Sequence, residues 1–339
     1  MKKLLRPKVV IPVILSVAVL AGLLFFGNVG QVIRLMEGFH RLYLLWFVIL
    51  MVVYEVVRGV QWHYLLQSMD IRVPLRSQIF AYAVGEVTKS IPVGNYFQNY
   101  VLQEAEGTDF ARSSAATTFI ILIEVFVSLM GVAIIGLGAW SSWLRPVILI
   151  GLPVFGFIAW AAHARHNYPR TPQWVKEHKF LLQALDAFGK FREGAATLFR
   201  PHVVGMAVLL GAIYVIVGAS ALYLVVRGLG IGGLSLWQVW AVYFFSLGFS
   251  LIVPLPMDIG PAELSAVGAF LAVGLSKGEA VGAMLINRAL GLGTAAALAI
   301  VAMIVLHDQL RRALQTRQSS ASSQRAQGPT DASQAADRV

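Results

Sequence analysis

The sequence predicts an all-α, polytopic integral membrane protein with about six full spans and two re-entrant broken-helix hairpins in an inverted repeat. Three observations carry that prediction. Of 339 residues, 58% are hydrophobic and only 13% charged, a balance that fits a lipid-embedded chain better than a soluble core. Apolar runs long enough to cross a bilayer recur along the chain, with basic residues gathered at their ends. Two apolar regions are also interrupted by proline and glycine next to polar side chains, and a simple span is not written that way. The formal charge of +10 follows the ends of the spans instead of alternating with aromatics on a polar patch. It therefore reads as positive-inside topology and argues against nucleic acid as a partner. The absence of cysteine removes disulfides, thiolate metal sites and a cysteine nucleophile.

Lys2, Lys3, Arg6 and Lys8 precede an apolar run at residues 9–26, which reads as an uncleaved first span with a cytoplasmic N-terminus. A second span, 42–66, carries Glu55, Arg58 and His63 toward its end, with Glu55 and Arg58 spaced as an intrahelical pair near the membrane edge. The next segment, 72–112, is too polar to face lipid throughout and predicts a hairpin near 75–110. Spans follow at 117–140, interrupted by Glu124, and at 146–162. Residues 164–200 are strongly basic, and Leu181, Leu185, Phe188 and Phe191 recur at helical spacing. That pattern fits an amphipathic helix on an anionic lipid surface as well as a solvated linker helix. The second half has spans at 203–226 and 280–306 around a broken region, 236–275. The Ser-, Gln- and Ala-rich tail, 308–339, predicts disorder.

Charge decides the topology. If every apolar segment crossed once, the basic 164–200 linker would lie outside. Two hairpins dipping in from opposite faces place the N-terminus, the linker and the C-terminal arginines together in the cytoplasm. The chain then divides into a first membrane half (1–163), the linker and a second half (201–307). The halves correspond at a spacing of roughly 160 residues and enter the membrane in opposite orientations.

The candidate site follows from the breaks. In the late one, Pro256, Asp258, Gly260, Pro261 and Glu263 combine three helix-disrupting residues with two carboxylates, each of which would cost about 3 kcal/mol facing lipid. The early one holds Glu86, Lys89, Pro92, Gly94 and Asn95; Glu86 and Lys89 are also spaced to pair within one arm. Glu124 and Arg288 lie deep in apolar spans. They are expected to approach one another or to share a polar cluster with Glu263, Asn95 or Asn287. His163 and His166 read as an interfacial pair rather than a metal site, and the glycines near 228–233 as a loop after a span rather than a nucleotide cradle. No cofactor is expected.

On these residues the sequence resembles the flippase-like transmembrane domain of the lysylphosphatidylglycerol synthase family. That family favours Pro-Gly-Gly-x-Gly-x-x-Glu, matched here by Pro256, Gly260 and Glu263, with Met257 and Asp258 replacing the paired glycines. Early in the chain Pro92, Gly94, Asn95 and Gln98 stand where the family has proline, glycine, an acidic residue and a nearby arginine. The resemblance implies the lipid-translocating part without the aminoacyl transferase, in the cytoplasmic membrane, acting on a lipid or lipid-linked substrate. Two other readings stay open: a membrane-embedded transferase using Asp258 and Glu263, and a non-catalytic scaffold for a glycosyltransferase or synthase partner.

Overall fold

The structure, a computed structural model, describes residue 26 and residues 29–88, 94–139, 179–252 and 261–326. The predicted spans at 9–26 (Phe26 apart) and 146–162, the histidines 163 and 166, and residues 89–93 and 253–260 of the two proline breaks lie outside the described residues.

All regular structure within them is helical. In chain order the helices are α1 (Val29–Glu37), α2 (Arg41–Ser68), α3 (Leu75–Thr88), a 3-10 turn (Gly94–Tyr96), α4 (Phe97–Glu106), α5 (Phe110–Ala139), α6 (Lys179–Leu198), α7 (Pro201–Gly228), α8 (Leu236–Ile252), α9 (Pro261–Ala272) and α10 (Lys277–Ala326). Within α2, α5, α7 and α10 are segments long and apolar enough to cross a membrane: Arg41–Ser68, Phe110–Ile135, Pro201–Gly228 and Lys277–Ala302. Helix α10 continues through Ala326, so residues 308–326 are helical where composition predicted disorder. Arg, Gln, Ala and Leu there are adequate helix formers that prolong a helix already nucleated in the span.

Local sequence sets the helix ends. Ser235 and Gln238 form a reciprocal cap at α8, the serine N–H donating to Gln238 Oε1 (2.9 Å) and Gln238 N–H to Ser235 Oγ (3.3 Å). Ser276 and Glu279 repeat the device at α10, with 2.9 Å and 3.4 Å bonds. Two helix exits are nearly superposable in kind. After α2, Asp70 takes φ 58° and Ile71 N–H reaches Leu66 O at 3.0 Å; after α7, Gly230 takes φ 71° and Ile231 N–H reaches Val226 O at 3.2 Å.

The order long helix, arm, break, arm, long helix thus occurs twice: α2, α3, α4, α5 and then α7, α8, α9, α10. The packing is reciprocal. Helices α2 and α7 lie against each other over most of their length, α3 packs on α10, and α8 packs on α5. Gln61 Nε2 donates to Ala207 O at 2.8 Å, and Tyr54 meets Tyr214 edge-on with ring centroids 5.3 Å apart, so α2 and α7 run antiparallel. Two apolar cores result. One gathers Trp62, Leu65, Phe119, Ile123, Val203 and Val215; the other gathers Phe47, Leu222, Val226, Val242, Phe270 and Val281. The space between them is where the polar groups converge.

Helix α6 is held to the start of α5. Asp109 Oδ1 accepts from Arg112 N–H (3.0 Å), and its other oxygen lies 3.2 Å from Lys190 Nζ. Partial burial pushes the Asp109 carboxyl up, but the Arg112 N–H and Lys190 outweigh it and hold the group below the ordinary carboxylate range. A depressed carboxylate contributes fully above its unfolded pKa and loses that contribution as pH falls through the folded one. Both partners are over a third exposed, so the link is worth at most about 1 kcal/mol. Hydrogen exchange in residues 189–198 is therefore expected to quicken modestly below about pH 4, and Asp109→Asn is expected to abolish that pH dependence. An unchanged acid response in the variant would assign it to another group.

Candidate functional site in the cavity between the two cores

A cavity of about 250 Å³ lies among α2, α3, α5, α7, α8, α9 and α10. Its polar lining comes from separate helices: Glu55 and Arg58 from α2, Glu86 from the end of α3, Asn95 from the turn after the first break, Glu124 from α5, Ser246 and Ser250 from α8, and Asn287 and Arg288 from α10. Phe47, Tyr243, Leu222 and Met284 complete the wall.

Glu86, Glu124 and Glu263 each meet an arginine across a helix boundary. Arg58 Nη1 donates to Glu86 Oε1 at 3.2 Å, while Arg58 Nε lies 3.2 Å from Glu124 Oε1. Arg288 Nε lies 3.5 Å from Glu263 Oε1, and Glu263 is fully buried. The two Nε contacts are charge contacts rather than aligned hydrogen bonds. Tyr82 Oη donates to Glu55 Oε2 at 2.8 Å, adding a fourth carboxyl to the neighbourhood. In hydrocarbon an isolated ion of this kind would cost about 3 kcal/mol or more, so the pairing is what makes these residues tolerable at that depth.

The arms are fixed by shorter-range bonds. Thr88 Oγ1 donates to Gly94 O (3.1 Å) and ties the end of α3 to the turn beyond the break. The side-chain amides of Gln98 and Asn99 both donate to Thr117 Oγ1, at 2.9 and 2.8 Å, and dock α4 on α5. Ser246 Oγ donates to Ala262 O at 2.7 Å and clips α8 to the start of α9, one residue before Glu263.

The sequence-predicted residues divide accordingly. Glu86, Asn95, Glu124, Asn287 and Arg288 line the cavity, Glu263 reaches it through Arg288, and Gly94 sits buried at the turn. Lys89, Pro92, Pro256, Asp258 and Gly260 lie outside the described residues. Glu124 and Arg288 do not pair with each other but share the cavity with Asn95 and Asn287; Arg288 pairs with Glu263, one of the expected neighbours, while Glu124 takes a partner the sequence reading did not name, Arg58. Arg58 is the residue that sequence reasoning misplaced. It is mid-helix in α2 and joined to α3 and α5, not an edge residue satisfied only within its own helix. The available signal was its position inside a long apolar run, several residues short of its end, where a local partner alone leaves two ions in lipid.

A relative from Methanothermobacter thermautotrophicus, described as a UPF0104 membrane protein, is 24% identical over 310 residues, covering 81% of this chain and 86% of its own. The family model for the lysylphosphatidylglycerol synthase TM region matches residues 13–315, a stretch that contains the paired halves up to residue 315 within α10 and the whole cavity lining. With its apolar helices and that match, the chain is an integral membrane protein and belongs to the lysylphosphatidylglycerol synthase TM region family.

Proposed function

We propose that the cavity receives the polar head of a membrane lipid or lipid-linked substrate and passes it across the cytoplasmic membrane. The single observation that supports this most directly is the set of ion pairs facing a cavity inside an apolar helix bundle, next to two helix interruptions. A structural role alone would bury these charges against packed side chains, whereas here they border open space large enough for a head group. The site residues in this reading are Glu86, Lys89, Asn95, Glu124, Asp258, Glu263, Asn287 and Arg288, with Arg58 added, together with Pro92, Gly94, Pro256 and Gly260 of the two breaks.

The inverted repeat is part of the same proposal, and the Tyr54–Tyr214 contact supports it. These tyrosines occupy matching places on α2 and α7, and they touch each other. Matching residues meet in this way on a two-fold axis, and antiparallel helices require that axis to lie in the plane of the membrane.

Vesicle reconstitution tests the reading. Accelerated leaflet exchange of a fluorescent phospholipid is expected, reduced by Glu263→Gln. A covalent lipid product would favour a transferase, and exchange equal to protein-free vesicles across several head groups would remove translocation. Topology has its own test, because the chain has no cysteine. Single cysteines at Gln183, Ser235 and Ser276 are expected to be labelled from inside, outside and outside; opposite sides for the two serine positions would make the second broken segment a full crossing.

A further inference from the structure

The two halves are not equally closed. Helix α7 packs closely along α8, but the α2 and α3 backbones stand apart, bridged by side chains (Arg58–Glu86, Tyr82–Glu55 and His63–Gln78), and a gap of about 430 Å³ opens between them under α10. Its walls are apolar: Val52, Val56 and Val60 from α2, Ile79 and Ala83 from α3, and Leu298 and Ala302 from α10. Three of these wall residues, Val56, Val60 and Ile79, are exposed.

This gap adjoins the polar cavity. Glu55, Glu86 and Ala295 line both. At the far end stand His63 and Gln78, bonded to each other, and the fully hydrogen-capable Gln78 amide nitrogen is buried with no hydrogen-bond partner among the described residues. A buried donor of that kind calls for a transient acceptor. From Val52 to His63 the groove follows a little over three helical turns, about 16 Å. That is roughly the hydrocarbon depth of one leaflet.

We propose that the α2–α3 gap is a lateral portal from one leaflet into the cavity, and that it holds a hydrocarbon chain of the amphiphile whose head the cavity takes. The portal rests on the head-group reading given above. An apolar trough opening to lipid at its side, ending at carboxylates on one end and an interfacial His–Gln pair on the other, has the polarity profile of a single lipid chain below its head. On entry the head passes the Gln78 amide, whose nitrogen donates to an ester or phosphate oxygen, and then meets Arg58 and its carboxylates. Arg72 and Arg76, just beyond this end, mark the leaflet of entry.

The test uses the full chain in vesicles of phosphatidylethanolamine and phosphatidylglycerol, each lipid carrying a diazirine near the end of one acyl chain. Mapped by mass spectrometry, the tail label is expected to concentrate on Val56, Val60, Ile79 and Ala302 by about tenfold over the lipid-facing Leu209 and Ile213 of α7. Two filling variants, Gly59→Leu and Val60→Trp, are expected to lower labelling of Ile79 and phospholipid exchange together by about tenfold, with Leu209→Trp as the inert control. The nearest atoms to a Cβ at position 59 belong to the Tyr82 ring, at 3.8 Å, an ordinary contact, and a leucine there extends toward the gap it is meant to fill. Tail label spread evenly over groove and control positions, with wild-type exchange in Val60→Trp, overturns the portal and leaves translocation standing. Wild-type exchange no faster than in protein-free vesicles defeats translocation instead, and the tail map still decides whether a lipid chain occupies the gap.

Discussion

Arg58→Gln is expected to remove most of the folded protein from the membrane. The guanidinium faces Glu86 from α3 and Glu124 from α5, so its loss removes a counter-charge from two buried carboxylates at once. Breaking a buried pair by removing one partner costs about 3–5 kcal/mol, comparable to the whole stability of many domains. Neutralising the opposing groups reverses most of that cost, because what destabilises is the uncompensated ion. Arg58→Gln with Glu124→Gln is therefore expected to accumulate better than Arg58→Gln alone, and the Arg288/Glu263 pair to show the same non-additivity. A cycle between Glu124 and Arg288, which share the cavity but not an ion pair, is expected to be near-additive. Detergent-solubilised yield and thermal melting read all three cycles. Strong coupling between Glu124 and Arg288, with none between Arg58 and Glu124, would overturn this assignment of partners.

Gly131→Leu is the second large effect, and it is steric. A Cβ at Gly131 of α5 would lie 2.3 Å from Phe244 Cδ2 of α8, and the Phe244 ring is itself buried in the core. Neither a rotamer change nor a small shift clears that overlap without parting α5 from α8. Overpacking of this kind costs about 1–3 kcal/mol for modest insertions and more for a branched side chain. Gly131→Ala is expected to lower the melting temperature measurably and Gly131→Leu to prevent assembly, while Phe244→Ala combined with Gly131→Leu recovers part of the loss. Failure of the smaller ring-deleted partner to rescue would place the damage elsewhere than at this contact.

Composition and charge periodicity made the membrane class and the helical content legible, because lipid forces every spanning backbone to satisfy itself within helices. Glu124, Glu263 and Arg288 were legible for a related reason: a lone charge in an apolar run has no bland explanation. Arg58 was hidden by its neighbour. Glu55, three residues away, offers a plausible helical partner, and a one-dimensional reading has no means of seeing that α3 and α5 deliver Glu86 and Glu124 to the same guanidinium. The helical stretch to Ala326 escaped for the opposite reason. Its composition is weak, but it is continuous with a strongly nucleated span.

The inequality between the open α2–α3 pair and the closed α7–α8 pair has a thermodynamic consequence. In the proposed inverted repeat, two units of one plan in opposite orientations would supply, in each other's present shape, a ready alternative minimum. On this hypothesis an exchange of shapes would close one portal and open the other on the opposite leaflet, reusing packing modes the chain already contains. The energy gap between the two states is then set only by where the halves differ in sequence. Spin labels across α2–α3 and across α7–α8 would show paired populations, one distance lengthening as the other shortens. Two fixed distances would instead make the asymmetry a permanent feature of one half.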